Sequence, residues 1–127
     1  MKLMTLAFFS AGMAFSQSND CDTLDKCREA VRANPRNSLA HFRLGDICLS
    51  EGNYQEAGNE LRGSLLGDLN PRWIEVWAHV ELGKLYDSTH QRERALNEYR
   101  QALRTMDNTR GALDEARKYT ETPYSPN

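Results

Sequence analysis

The sequence predicts an all-α fold in which helices stack in pairs as a solenoid. The first observation is an internal echo: Leu44-Gly45 returns as Leu82-Gly83, 38 residues later (83 minus 45). The spacing beyond each glycine repeats too, since Ala57 and Ala95 both follow their glycine by 12 positions (57 minus 45, 95 minus 83). A period of about 20 to 50 residues is typical of stacked helical arrays. The second observation is that no segment alternates convincingly enough to be a strand.

Length and charge limit the classes of protein that fit. At 127 residues the chain has room for one domain. Its 16 lysines and arginines nearly balance its 18 aspartates and glutamates, which leaves a net charge of −2. A nucleic-acid-binding domain would show a basic surplus, so we expect no nucleic-acid partner. The hydrophobic content of 39% suits a helical stack with a thin core.

The N-terminal stretch has the pattern of a secretory signal peptide. Lys2 gives a basic start, 3–15 is a mostly apolar run, and small residues flank a candidate cleavage point at Ser16. The run is too short to cross a bilayer comfortably, so we expect no membrane span in the mature chain. We predict a signal peptide over 1–16, a flexible mature start over 17–22, and export to the periplasm or secretion. A buried N-terminal helix is the alternative.

Three helices are predicted in the first half of the mature chain. The first covers 20–34, with Asp22 as its N-cap, and ends before Pro35, because a residue before proline avoids the helical region. The second covers 38–50 and is apolar on two sides, as a helix in the middle of a stack requires. The third covers about 53–66 and follows a turn that contains a glycine.

The linker that follows separates the two halves. Gly67-Asp68-Leu69 reads as the loosest place in the mature chain. Asn70 is the predicted N-cap of the next helix, and Pro71 is its predicted first residue, where proline is preferred. We expect this helix to run over 71–88 and to be longer than its counterpart in the first half.

Two helices and a tail complete the chain. A helix over 92–106 pairs with the one before it, and a last helix over 109–120 carries a narrow apolar stripe. We expect this last helix to cap the stack, since a terminal unit must shield the apolar face of its neighbour. The prolines at 123 and 126 predict a disordered tail over 121–127.

The two copies resemble the tetratricopeptide repeat family, whose motif is a large residue, Leu-Gly, an aromatic, a turn, and small and aromatic residues in order. The first copy is His41, Leu44-Gly45, Cys48, Gly52-Asn53-Tyr54, Ala57, Leu61, Ser64 and Pro71. The second copy is His79, Leu82-Gly83, Tyr86, Ala95, Tyr99 and Ala102. Histidine stands at the tryptophan position in both copies, and His90 replaces the turn glycine.

The resemblance implies a helical domain over 23–120 that winds as a right-handed α-α superhelix. It has two full repeats, 38–70 and 71–109, between an N-terminal half-repeat helix and the capping helix 109–120. The stretch from Trp73 to Tyr124 also resembles the terminal repeat of certain secreted bacterial repeat proteins.

The resemblance implies a non-enzymatic scaffold that binds a peptide or another protein on the concave face formed by the first helix of each repeat. The residues carried to that face by position are Leu39, Phe42, Arg43, Asp46, Leu49, Trp77, Val80, Glu81, Lys84, Asp87 and Ser88. A mixture of aromatic, aliphatic and charged residues suits an extended peptide or a partner helix. Trp77 is the strongest single anchor, because large aromatic residues dominate such contacts. We expect no catalytic residue, metal or cofactor.

The cysteines leave other interpretations open. If the repeats stack normally, Cys27 and Cys48 face one another on adjacent helices, and this pair is the favoured disulfide. Cys21 with Cys27 is the local alternative, and three unpaired thiols are the third. A thiol- or metal-dependent enzyme or binder built on the cysteines and histidines is the rival function, although the sequence has no Cys-x-x-Cys. A structural subunit that self-associates through its end helices is another.

Overall fold

The protein, seen in a computed structural model that describes residues 21–126, is all-helical in that part, with no strand among those residues. A 3₁₀ turn, Thr109–Gly111, precedes the last helix. The helices are α1 (Leu24–Ala33), α2 (Ser38–Ser50), α3 (Tyr54–Leu65), α4 (Trp73–Ser88), α5 (Arg92–Arg104) and α6 (Ala112–Glu121). The predicted signal peptide, 1–16, lies outside the described residues. Across 21–126, every helix is too short or too polar to cross a membrane.

The helices stack as an α-solenoid does. Each helix packs against the next one in the chain, and α4 also lies against both α2 and α6. Three small apolar clusters run along the stack instead of one thick core. The predicted all-α, solenoid-like fold is therefore confirmed.

The two echoed glycines lie where paired helices approach most closely. A Cβ atom added to Gly45 would stand 2.8 Å from Cγ of Leu61 on α3. A Cβ added to Gly83 would overlap the ring of Tyr99 on α5. Leu61 and Tyr99 have no exposed surface. The Leu-Gly echo therefore marks the crossing point of each helix pair, as the sequence predicts.

A second echo joins the same helix pairs through polar groups. Nδ1 of His41 on α2 lies 2.7 Å from Oε2 of Glu60 on α3. Nδ1 of His79 on α4 lies 2.7 Å from Oε2 of Glu98 on α5. Both partners are separated by 19 positions, so the pair repeats with the 38-residue period. Each histidine at the tryptophan position of the repeat is therefore held by a glutamate of the neighbouring helix, which the repeat motif alone does not indicate.

The linker before α4 is held firmly, which corrects the prediction that it is loose. The amide of Asp68 donates to the carbonyl of Arg36, and the amide of Ser38 donates to the Asp68 carboxylate. The amide of Leu69 donates to the hydroxyl of Ser38 at 2.9 Å. Gly67 lies so close to this turn that a Cβ would clash with it. The linker thus docks on the start of α2.

Two helices begin later in the chain than predicted. Helix α1 begins at Leu24, since Thr23, not Asp22, accepts a hydrogen bond from the amide of Lys26. Helix α4 begins at Trp73, after a cis Asn70–Pro71 peptide bond and without a side-chain cap. Elsewhere the caps are the expected kind: Asn53 accepts from an amide in the first turn of α3.

The two ends of the described part, 21–126, are more ordered than predicted. Cys21 is buried, and its carbonyl accepts a hydrogen bond from Arg43, so the predicted flexible start does not extend to this residue. At the other end, Glu121 closes α6, and the backbone beyond it folds back onto the stack through Tyr124. The prediction of a disordered tail from 121 onwards is therefore wrong for 121–126.

The disulfide joins Cys21 to Cys27, and Cys48 is a free, buried thiol. The favoured pairing of Cys27 with Cys48 is therefore wrong. All three cysteines belong to one cluster between α1, α2 and α3, so proximity alone does not select the pair. The chain before α1 turns back so that Cys21, only six positions away, meets Cys27 with a Cα–Cα distance of 4.9 Å. The disulfide ties the chain start to α1.

We expect the Cys48 thiol to be unreactive in the folded protein. Burial, together with the neighbouring Glu56 carboxylate, raises the pKa of Cys48 to about 11, so little thiolate forms near neutral pH. Iodoacetamide should label no cysteine of the native protein and a single cysteine of the denatured protein. It should label three cysteines of the protein that has been both denatured and reduced. Peptide mapping should place the single label at Cys48. Rapid labelling of the native protein, or a label on Cys21 without reduction, would contradict this arrangement.

Candidate partner-binding face

We call the surface formed by α2, α4 and α6 the inner face, with Asp46, Lys84 and Glu115 as its markers on the three helices. Of the predicted binding residues, Asp46 is exposed. Those that are half-buried are Leu39, Arg43, Leu49, Trp77, Lys84 and Ser88. Those that are buried are Phe42, Val80, Glu81 and Asp87. Leu39, Asp46 and Leu49 recur at helical spacing, so they share one side of α2.

Val80 and Asp87 are corrections to the predicted set, because the protein's own groups bury both side chains. Val80 has no exposed surface and belongs to the cluster between α4, α5 and α6. The carboxylate of Asp87 is 1% exposed and pairs with Arg92 at 3.0 Å. It also accepts a hydrogen bond from the hydroxyl of Tyr99 at 2.8 Å. These two residues hold the helices together.

Trp77 lies on the inner face but is already engaged. Its indole Nε1 donates to the carbonyl of Thr109 at 2.9 Å, which attaches the turn before α6 to α4. Its ring packs against two of the apolar clusters and is half-buried. Trp77 therefore connects α4 to the turn before α6, and only the remaining part of its ring is open to a ligand.

Trp73 is an aromatic residue of this face that sequence reasoning did not select. Its ring meets Phe42 of α2 edge-on, with centroids 5.4 Å apart. The guanidinium of Arg110 lies 4.9 Å from the same ring. Its spacing of four residues before Trp77 places it on the same side of α4, and this spacing could have identified it. Trp73 thus joins α2 to α4 at one end of the inner face.

Lys84 is an enclosed cation at the centre of the inner face. Its ammonium pairs with Glu81 at 3.1 Å and with Glu115 of α6 at 3.0 Å. Three rings surround it, those of Trp77, Tyr119 and Tyr124, with centroids 5.8, 5.8 and 5.5 Å from Nζ. Burial opposes the charged form, but the two carboxylates outweigh it and raise the pKa of Lys84. This lysine is charged and fully engaged by the protein's own groups.

Carboxylates outnumber cations around Lys84. Burial raises the pKa of Glu81, the Asp46 charge adds to the rise, and Lys84 opposes it. The protein surface that removes water from one side of the exposed Asp46 raises its pKa too, again against Lys84. With Glu115, three carboxyl groups share one ammonium. An additional cation from a ligand would therefore be stabilised beside Asp46, the carboxyl that is open to solvent.

The described residues hold no cluster of three or more histidine, cysteine or acidic side chains that could hold a metal ion. The histidines that sequence reasoning considered for metal binding are used in pairs with glutamates instead. What the inner face offers is an apolar strip on α2, an aromatic end near Trp73, and a carboxyl-rich centre. Such a surface is suited to binding a peptide or a protein segment.

Comparison with known families agrees with this geometry. Residues 27–65 match the family described as tetratricopeptide repeat. The match begins within α1 and ends with α3, so it covers the first helix pair and the helix before it. The chain matches no curated protein and no solved structure.

Proposed function

We propose that this chain belongs to the tetratricopeptide repeat family, which residues 27–65 match, and that it is a non-enzymatic scaffold that binds another protein through its inner face. Repeats of this family generally mediate protein–protein interaction. The observation that carries the proposal is the strip on α2 formed by Leu39, Asp46 and Leu49. In the described structure this strip combines apolar surface with an exposed carboxylate, and it lies beside the carboxyl-rich centre of the face.

The acidic character of this centre favours a basic partner. A segment that places a lysine or arginine beside Asp46 and apolar side chains on Leu39 and Leu49 would satisfy both kinds of surface. Burial is the main reason that the pKa values of Asp46 and Glu81 are raised, and the Asp46 charge adds to the rise at Glu81; an added cation would favour the charged form of both carboxyl groups. We therefore propose a basic, partly apolar protein segment as the ligand.

We further propose that the protein works outside the cytoplasm, in the periplasm or as a secreted protein. The pattern of residues 1–16 supports export. The Cys21–Cys27 disulfide supports it independently, since such bonds persist in oxidising compartments. The mature chain from an expressing cell should then begin after Ser16 or close to it.

The other two functions receive no such support from the described residues. Cys48 is buried, and Cys21 and Cys27 are joined to each other, so no thiol is exposed for chemistry. The outward sides of the end helices expose charged residues instead of apolar ones, which does not favour end-to-end stacking. These exposed residues are Asp25, Lys26, Glu29 and Arg32 on α1, and Asp114, Arg117, Lys118 and Glu121 on α6.

Charge reversal on the inner face tests the proposal. Immobilised mature protein would be used to capture proteins from the extract of its own cell envelope, and the bound protein would be identified. Asp46→Lys should reduce the capture of that protein by about tenfold or more, because one charge-assisted contact is replaced by repulsion. Glu93→Lys, an equal charge change at an exposed site on α5, should leave capture unchanged. Equal capture by both variants with unchanged helicity would reject the inner face as the binding site.

A further inference from the structure

The chain after α6 does not continue outwards but lies back over α4. The amide of Tyr124 donates to Oδ2 of Asp87 at 2.9 Å. The Tyr124 ring meets Tyr119 of α6 edge-on, with centroids 5.3 Å apart, and stands 5.5 Å from the ammonium of Lys84. Lys84 belongs to the inner face, and Asp87 lies one helical turn beyond it. Tyr124 therefore holds the segment 122–126 against the α4–α6 end of the inner face.

The contacts of this segment are of the kind that a bound peptide makes. Thr122 is extended, and no helix includes 122–126. A main-chain amide donates to a buried carboxylate, and an aromatic side chain rests against a ring and a cation. Main-chain hydrogen bonds supply affinity and a side-chain pocket supplies specificity in such complexes. Prolines on both sides of the Tyr124-Ser125 pair restrict the backbone, which lowers the entropy lost on docking.

We propose that the segment 122–126 is an internal ligand of the inner face, and that an extended peptide with a central aromatic residue displaces it. This inference rests on the proposed function, since it concerns the same face. The partner's aromatic residue takes the place of the Tyr124 ring between Tyr119 and Lys84. The basic part of the partner then lies towards Asp46, at the open end of the face.

Tethering explains why the segment would regulate binding instead of merely resembling a ligand. A short attached segment has an effective concentration on the order of millimolar at its site. A free peptide with the same contacts must therefore compete against the attached copy. Its apparent association constant is the intrinsic constant multiplied by the fraction of molecules in which the site is open. Only a partner that makes additional contacts, such as those on α2, overcomes this competition.

The chain's own C-terminal sequence provides the probe. A fluorescein-labelled synthetic peptide, Thr-Glu-Thr-Pro-Tyr-Ser-Pro-Asn, would be titrated with the full mature protein and with Tyr124→Ala, and binding followed by anisotropy. We expect Tyr124→Ala to bind the peptide at least about tenfold more tightly than the wild type, because the internal competitor is weakened. Tyr124→Phe is the matched control: it keeps the ring and should bind as weakly as the wild type. A peptide with alanine in place of its tyrosine should not bind to any of the three proteins.

A second variant guards against a folding defect in Tyr124→Ala. Pro123→Gly leaves every contact side chain in place but frees the backbone of the segment, and it should also bind the peptide more tightly than the wild type. Equal binding to wild type and both variants, or no binding to any of them, would overturn the inference. Either result would leave the proposed function standing if Asp46→Lys still abolished capture of the cellular partner. Loss of the Asp46 effect would reject the proposed function whatever the peptide did.

Discussion

Asp87→Ala should destabilise the protein by about 3–5 kcal/mol, the loss typical when one member of a buried ion pair is removed. The carboxylate accepts hydrogen bonds from Arg92, from the hydroxyl of Tyr99 and from the amide of Tyr124. Arg92 in turn donates to the carbonyl of Thr120 at 2.8 Å, so the same group connects α4, α5 and the end of α6. Removing it leaves the Arg92 guanidinium without its carboxylate partner and the buried Tyr99 hydroxyl without its acceptor.

Urea unfolding followed by circular dichroism measures this effect. Asp46→Ala is the matched control, since it removes an exposed carboxylate from the inner face and should change stability by no more than about 0.5 kcal/mol. A loss of stability no larger for Asp87→Ala than for Asp46→Ala would mean that this network does not hold the helices together.

Gly83→Ala should cost about 2–3 kcal/mol, and Gly45→Ala less, although both add one methyl group at equivalent positions. At Gly83 the methyl meets the rigid ring of Tyr99, which is fully buried and fixed by its hydrogen bond to Asp87. At Gly45 it meets Cγ and Cδ2 of Leu61 at 2.8 and 3.0 Å and the Leu61 amide nitrogen at 3.2 Å, an overlap smaller than that with the Tyr99 ring, so a smaller shift relieves it. The two helix crossings are therefore not equally tolerant.

Thermal and urea unfolding of the two variants, side by side, would check the order. The comparison has its own control, because both substitutions have the same effect on helix propensity. A larger loss of stability for Gly45→Ala than for Gly83→Ala would contradict the claim that the α4–α5 crossing at Tyr99 tolerates an added methyl group less well.

Local patterns are sufficient to predict most of the fold. The predicted bounds of α2, Ser38–Ser50, are the observed ones, because proline, an N-cap and a glycine turn mark both sides of it. The asparagine before α3 is identified as a cap for the same reason. The 38-residue period also predicts the crossing of α4 with α5 at Gly83 and Tyr99. Equivalent positions in two copies of one motif occupy equivalent places in the two helix pairs.

The histidine–glutamate pairs are a feature that the periodicity predicts and the family motif does not. His41 and His79 occupy equivalent positions in the repeat, and so do Glu60 and Glu98. Adding the 38-residue period to both members of one pair yields the other pair. A charged residue that repeats in register with a histidine on the neighbouring helix therefore predicts a partner instead of a solvated face.

The remaining differences depend on tertiary contacts that local sequence does not reveal. The prolines around Tyr124 are typical of a frayed end, and only the position of Asp87 and Tyr119 in the stack gives that residue something to bind. The pairing of Cys21 with Cys27 depends in the same way on how the chain turns before α1. Trp77 is the predicted ligand anchor, and the turn at Thr109 engages part of it.

Photo-crosslinking from a single position tests most directly whether the inner face binds a protein partner. A benzophenone amino acid would replace Leu39, on the α2 strip, or Arg100, an exposed residue of α5, in the protein expressed in its own cell. Illumination should join the protein to one specific partner from position 39 and to none from position 100. Crosslinking of that partner from position 100 but not from position 39 would contradict binding through the inner face.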